Sequence, residues 1–173
     1  MKSKFSKNEL KLDTLFLDRD GVINKKLPNT YVTNFSKFIF IKNSLIAINE
    51  LSKRFKRILI ITNQQGIGKG IMTHEDLTNI HEKMIKEIDK NQGKIAQIYF
   101  CPHLMSDYCK CRKPNKGMIE KALVDFPSIN LDRSFLVGDS ITDIQLAESM
   151  GIKAIQVDEE YTLNIWQKDF FSC

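Results

Sequence analysis

The chain has 173 residues, of which 42% are hydrophobic and 27% charged; that is about one domain of ordinary globular composition and fits neither a disordered tail nor a membrane protein. Its longest apolar run, Ile58 to Ile61, is far too short to span a bilayer, and the stretch Phe5 to Asp13 is broken by Lys7, Asn8, Glu9 and Lys11, so no secretory leader is expected. The formal charge of +5 suits an anionic substrate, but the lysines are spread over every segment, without the one-sided clustering and interleaved aromatics of a nucleic-acid footprint.

No repeat, low-complexity tract or linker interrupts the chain, so a single domain over residues 1–173 is expected. Thr14 to Leu17 reads as a buried strand that ends in the polar loop Asp18-Arg19-Asp20-Gly21. Tyr31 to Ile41 has a patchier pattern, that of a flap or short hairpin. Asn43 or Ser44 can cap a helix carrying Leu45, Ile48, Leu51 and Phe55 at near-helical spacing. Arg57 to Ile61 is a second strand, ending at Thr62. After the turn Gly66-Ile67-Gly68-Lys69-Gly70, Thr73 with Asp76 three residues on forms a capping box for a helix bearing Leu77, Ile80, Met84 and Ile88, which should stop near Gly93. Ile95 to Phe100 is a third strand, and Met118, Ile119, Ala122, Leu123 and Phe126 mark a further helix. Phe135 to Val137 is a fourth strand, a helix through Ile144 and Leu146 ends at Gly151, and Ile152 to Val157 is a fifth strand. This alternation predicts an α/β fold, a doubly wound parallel sheet with helices on both faces.

In such sheets, ligands bind outside the carboxyl ends of the strands. The polar residues collect there: Asp18 and Asp20 after the first strand, Thr62 and Asn63 after the second, Asp139 and Asp143 after the fourth. Asp18, Asp139 and a backbone carbonyl near Asp20 offer hard oxygen ligands that suit Mg²⁺. A bound dication would keep Asp18 ionised and let it attack phosphorus, giving an aspartyl phosphate. Asp20 can protonate the leaving alcohol and later activate water. Thr62 offers a hydroxyl to a phosphoryl oxygen, and Lys113 a fixed positive charge.

Between the third strand and the next helix, Cys101, His103, Cys109 and Cys111 have the spacing C-x-H-x5-C-x-C. Three thiolates and one imidazole make a closed tetrahedral set for Zn²⁺ with no open position, so the metal is expected to be structural. Cys111 directly precedes Arg112 and Lys113, so zinc would preorganise the segment that delivers two cations to the phosphate. Clustered, reduced thiols also point to the cytoplasm. Cys173 has no partner nearby and is read as incidental.

Leu17-Asp18-Arg19-Asp20-Gly21-Val22-Ile23-Asn24, Thr62-Asn63-Gln64-Gln65-Gly66, Cys101-Pro102-His103 with Cys109-Lys110-Cys111-Arg112-Lys113-Pro114, and Gly138-Asp139 with Asp143 together resemble the haloacid dehalogenase superfamily. Within it they are similar to the zinc-containing group that holds D-glycero-D-manno-heptose 1,7-bisphosphate 7-phosphatase and the histidinol-phosphate phosphatase domain. The resemblance implies a Rossmann-like sheet without a cap domain, a nucleophile at Asp18, an acid/base at Asp20 and phosphoryl contacts at Thr62 and Lys113. It places Mg²⁺ at Asp18, Asp20 and Asp139, gives Asp143 the task of orienting Lys113, and puts Arg19, Asn63, Gln64, Gln65, Arg112 and Ser140 around the substrate. Ser140 departs from the basic residue that both branches often carry there. The expected substrate is a small phosphorylated metabolite, a sugar bisphosphate, with histidinol phosphate as the alternative and a non-catalytic zinc module as the alternative of another class. Neither nucleic acid nor membrane is an expected partner.

Several further features read blandly. His74 and His81 are taken as satisfied or solvent-facing, the Gly66-x-Gly68-x-Gly70 turn lacks the spacing of a phosphate loop, and Trp166, Phe170 and Phe171 are taken as core or edge packing.

Overall fold

The computed structural model describes residues 11–172, so the N-terminal stretch before Lys11 and Cys173 lie outside the described residues. Ten regular elements alternate along them: β1 (Leu12–Leu17), α1 (Ser44–Arg54), β2 (Phe55–Asn63), α2 (His74–Lys90), β3 (Gln97–Cys101), α3 (Gly117–Asp125), β4 (Phe135–Gly138), α4 (Ile141–Ser149), β5 (Lys153–Gln156) and α5 (Leu163–Phe171). The strands form one parallel sheet in the order β3-β2-β1-β4-β5.

Successive side chains of a strand point to opposite faces, and here both faces are covered. Leu15, Leu17, Ile58, Ile60 and Val137 pack against Ala47, Ile48 and Leu51 of α1, Leu77, Ile80, Met84 and Ile88 of α2, and Leu163 and Trp166 of α5. Phe16, Leu59, Ile61 and Leu136 face the other way, onto Met118, Ile119 and Ala122 of α3 and Leu146 and Ala147 of α4. Each such buried side chain contributes about 1.5–3 kcal/mol, which is why the strands read as continuous apolar runs. The capping box of α2 is present: Thr73 Oγ1 accepts from Asp76 N at 3.0 Å, and Asp76 Oδ2 accepts from Thr73 N at 2.8 Å.

The departures from expectation are local. Phe55, in phase with the apolar face of α1, instead begins β2: the helix runs into the strand without a loop, and the Phe55 ring packs edge-on to Phe135 at 5.8 Å. Asn43 adopts a left-handed conformation and makes no side-chain cap bond to α1. The stretch Tyr31 to Ile41 is not a hairpin; it holds a 3-10 turn at Phe35–Lys37 and one antiparallel bridge, Asn24 to Phe40. The helix α5 was not expected. Its Trp166 and Phe170 pack against Phe135 with ring centroids at 6.1 and 5.1 Å; Trp166 is buried in the core and Phe170 sits at its partly exposed edge, in line with the reading of core or edge packing.

The chain steps from β1 through β2 to β3 at one edge, then crosses back to β4 and β5 on the other side. Neighbouring β1 and β4 therefore send their connections in opposite directions, opening a crevice above their carboxyl ends. Among the described residues, the segments after β1 and β2 contain no cap domain, and no helix is long and apolar enough to cross a membrane.

Candidate active site

At that crevice Asp18 leaves β1 with its N–H on the Val137 carbonyl at 2.9 Å, which ties it to β4. Its Oδ1 accepts from Arg19 N at 2.7 Å and pairs with Lys113 Nζ at 2.9 Å. Burial is the largest influence on this carboxyl; together with the Asp143 and Asp20 carboxylates it outweighs Lys113 and pushes the group up to about 7. The Lys113 ammonium, itself buried, also lies 2.6 Å from Asp143 Oδ1 and donates to the Ile61 carbonyl at 2.9 Å. Burial opposes that charge, but the two aspartates outweigh it and hold the ammonium above its usual range. Asp143 thus orients Lys113, while its Oδ2 accepts from Ser140 Oγ at 2.6 Å and Ser140 N at 3.2 Å.

Asp20 faces elsewhere. Its carboxylate accepts from Arg19 Nη2 at 2.8 Å on both oxygens, from Asn24 Nδ2 at 2.9 Å and from Gln64 Nε2 at 2.9 Å. Burial works against ionisation, but Arg19 and these hydrogen bonds outweigh it and hold the carboxyl below its ordinary range. Gln64 also donates to Thr62 Oγ1 at 2.9 Å, joining the acid/base candidate to the hydroxyl at the end of β2.

Three carboxylates, of Asp18, Asp139 and Asp143, bring oxygens within 4.8 Å of one another. Asp139 Oδ1 is buried with no hydrogen-bond partner, and Oδ2 meets Lys26 Nζ at 2.6 Å. An orphaned anionic oxygen among hard donors fits a small divalent cation. Gly21 makes room for it: at φ +87 it takes a conformation other residues avoid, and a Cβ there would strike the Asp139 carboxylate. Asp20 is absent from this cluster, so any part it takes in metal binding falls to its backbone carbonyl; the carboxylate is held by Arg19, Asn24 and Gln64.

The zinc ligands expected from the spacing also converge. Cys101, His103, Cys109 and Cys111 place ligand atoms within 4.8 Å of one another, with sulfur separations of 3.2 to 3.6 Å. A tetrahedron with ~2.3 Å Zn–S bonds has edges of about 3.8 Å, so the donor set fits that ion. Cys101 closes β3, which fixes the loop to the sheet.

A cavity of about 520 Å³ opens over the carboxylates, lined by Asp18, Thr62, Gln65, Lys69, Arg112 and Tyr31 among others. Arg112 Nη1 is buried without a hydrogen-bond partner. Of the residues expected around the substrate, Arg19, Asn63, Gln65, Arg112 and Ser140 line this cavity and Gln64 does not; the side chains of Arg19, Asn63, Gln64 and Ser140 are also bonded to neighbouring residues of the site. Arg19 is 1% exposed with its guanidinium on Asp20, and Gln64 is 1% exposed between Asp20 and Thr62. Asn63 accepts from Lys113 N at 3.0 Å and donates to Lys113 O at 3.2 Å, and Ser140 bonds Asp143. Lys26, Lys69 and Tyr31 were missed; Lys69 Nζ lies 5.4 Å from the Tyr31 ring centroid. A lysine inside a glycine-rich turn near a strand end was the one available signal.

A family model described as polynucleotide kinase 3 phosphatase matches residues 14–171. The chain belongs to this family, within the haloacid dehalogenase superfamily. The D-glycero-beta-D-manno-heptose-1,7-bisphosphate 7-phosphatase of Neisseria meningitidis is 37% identical over 139 residues, 80% of this chain and 73% of the relative. The histidine biosynthesis bifunctional protein HisB of Blochmanniella floridana is 37% identical over 147 residues, 82% of this chain but 40% of that protein. Among solved structures, the D,D-heptose 1,7-bisphosphate phosphatase of B. bronchiseptica complexed with magnesium and phosphate superposes with a TM-score of 0.84 at 28% identity, covering 92% of this chain and 98% of that one. This haloacid dehalogenase chain is likewise a phosphatase, and the reading as a non-catalytic zinc module fails.

Proposed function

We propose that the chain removes the 7-phosphate of a heptose 1,7-bisphosphate through an aspartyl phosphate on Asp18. One observation carries this: Lys113 is locked between Asp18 and Asp143, and on the adjoining residue Arg112 lines the same cavity with an unpartnered Nη1. One cation serves the reacting phosphate, and the guanidinium serves a second phosphate on the same molecule, where its planar donors match the oxygens. The heptose bisphosphate phosphatases among the relatives support the same substrate.

Asp18 and Asp139, with the Asp20 backbone, would hold Mg²⁺, which when bound neutralises phosphate oxygens. Both contacts to the Asp18 carboxylate fall on Oδ1, which leaves Oδ2 for attack on phosphorus. Asp20 is ionised at rest; an arriving phosphate dianion raises its proton affinity, and the proton it takes up goes to the sugar oxygen as the P–O bond breaks. Asp20 then takes a proton from water, which attacks phosphorus and frees Asp18 and inorganic phosphate. Thr62 and Lys113 hold phosphoryl oxygens. Cys101, His103, Cys109 and Cys111 hold Zn²⁺ as a structural clamp, and these reduced thiols suit the cytoplasm.

The test is steady-state kinetics with Mg²⁺ on both anomers of the heptose bisphosphate, histidinol phosphate and a 3′-phosphorylated oligonucleotide. The bisphosphate should show the highest kcat/KM and the oligonucleotide the lowest. Preference for histidinol phosphate, which the HisB relative keeps in view, would move the assignment there.

A further inference from the structure

His81 lies on the buried face of α2, between Leu77 and Met84, and is 8% exposed. In a helix packed on a sheet this position calls for an apolar residue. What the imidazole meets is Arg19: its Nε2 lies 3.2 Å from Nη1 of a guanidinium that is 1% exposed. Burial, and next the Arg19 charge, push His81 down to about 3, so the ring is neutral. A neutral imidazole has one acceptor nitrogen, and against a guanidinium that can only donate, Nε2 is the acceptor and Nδ1 carries the hydrogen.

Arg19 has few other places to turn. Its Nε is buried with no hydrogen-bond partner, its Cζ lies 5.8 Å from the Phe38 ring centroid, and Nη2 divides itself between the two oxygens of Asp20. Two contacts therefore set the rotation of the guanidinium, one on His81 and one on Asp20. Without the first, Nη1 would be a charged donor with no acceptor in a dry pocket, and the group would turn to find one. The oxygens of Asp20 would lose their alignment with it.

We propose that His81 is a positioning residue for the acid/base step, acting through Arg19 to fix the carboxyl of Asp20. The relay runs from α2 through the residue next to the nucleophile to the group that hands its proton to the leaving oxygen. It rests on the reading of Asp20 as the acid.

A misplaced acid matters only where the leaving group needs a proton. The test is the single-turnover rate of alcohol release, which isolates the first half-reaction, with a sugar phosphate and with p-nitrophenyl phosphate. His81→Phe keeps an aromatic ring against Phe100, whose centroid lies 6.2 Å away, but removes the acceptor. It should slow the sugar ester about tenfold, as expected for one hydrogen bond, and leave the aryl ester within about twofold. His81→Gln, whose amide oxygen can accept from Arg19, should restore most of the sugar-ester rate. If circular dichroism shows His81→Phe unfolded, His81→Leu takes its place. Asp20→Asn separates the two ideas. An equal loss on both esters there would overturn the acid reading itself; a selective loss in Asp20→Asn with none in His81→Phe, or equal rates for the Phe and Gln variants, would overturn the relay alone.

Discussion

Replacing Lys113 by methionine removes one charge while keeping most of the stem, and it should drive magnesium affinity and turnover in opposite directions. The ammonium lies 2.9 Å from Asp18 Oδ1, 2.6 Å from Asp143 Oδ1 and 2.9 Å from the Ile61 carbonyl, in a residue 3% exposed. Its loss leaves two buried carboxylates without their shared cation, a change that costs about 3–5 kcal/mol, against the ~5–15 kcal/mol that holds a domain folded. The same loss removes a repulsion. At a separation of about 5 Å and an effective dielectric of about 20, a unit charge opposes a dication by about 7 kcal/mol. Water entering the space left by the ammonium, and relaxation of the two carboxylates, return the larger share, leaving a tightening of about ten- to hundredfold in the Mg²⁺ dissociation constant, or about 1.4–2.8 kcal/mol. Turnover at saturating Mg²⁺ should fall by at least one to two decades, because a charged hydrogen bond to the phosphate is worth about 1.5–3 kcal/mol. Calorimetric Mg²⁺ titration, urea melts with and without the ion, and steady-state kinetics read the three quantities. A variant that binds Mg²⁺ more weakly than the wild type, or turns over at the wild-type rate, would refute this account of the charge balance.

Asp18→Asn should abolish turnover while the far-ultraviolet circular dichroism stays that of the wild type, since the amide keeps the shape and cannot attack phosphorus; appreciable hydrolysis by the folded variant would exclude the covalent route. Cys109, with its sulfur 3.5 Å from that of Cys101 and its carbonyl accepting from Asn115 Nδ2 at 2.7 Å, ties together the loop proposed to hold zinc. Cys109→Ser should lower the zinc content below the one ion per chain expected of the wild type and reduce kcat/KM even when folded and saturated with Mg²⁺; elemental analysis beside kinetics checks it, and zinc-free protein with unchanged kinetics would remove the preorganising role. Arg112→Ala should lower kcat/KM on the heptose bisphosphate by about one to two decades and leave a simple monophosphate ester nearly untouched; equal losses on the two esters would place Arg112 on the reacting phosphate.

The parts of this fold legible in the sequence were those where burial is symmetric. Phe16, Leu59 and Leu136 face one layer and Leu15, Ile58 and Val137 the other, so β1, β2 and β4 appear as unbroken apolar runs with polar residues at their ends. The helix α5 is not legible in the sequence although Leu163, Trp166 and Phe170 recur at helical spacing, because nine residues with Asn164, Lys168 and Asp169 among them do not outweigh a loop reading. Phe55 was misplaced because α1 and β2 share no connecting residue, and a hydrophobic position at the junction satisfies both periodicities. The convergence of Cys101, His103, Cys109 and Cys111 was readable because a coordination shell constrains spacing directly. Lys26 was not, since its contact with Asp139 spans 113 positions of chain and no local pattern carries it.

The directions in which the loop side chains point explain the remaining differences. Thr62 and Gln64, two residues apart at the end of β2, fall on the same side and reach one another, and Gln64 continues to Asp20; Asn63, between them, turns to the backbone of Lys113. The period of two that alternates apolar side chains within the sheet thus continues past the strand end and sorts polar neighbours into two networks, one around the Asp20 carboxylate and one around Lys113. Residue type alone cannot distinguish an amide that contacts substrate from one that holds a catalytic group, because the donors are the same. Burial distinguishes them: Gln64 at 1% exposure has no path to a ligand, whereas Gln65 lines the cavity. Asp20 and Lys113 are each held by two or more neighbours, so in the function proposed above they enter the reaction already oriented, and two of the unpartnered atoms, Arg112 Nη1 and Asp139 Oδ1, remain for the second phosphate and for the cation.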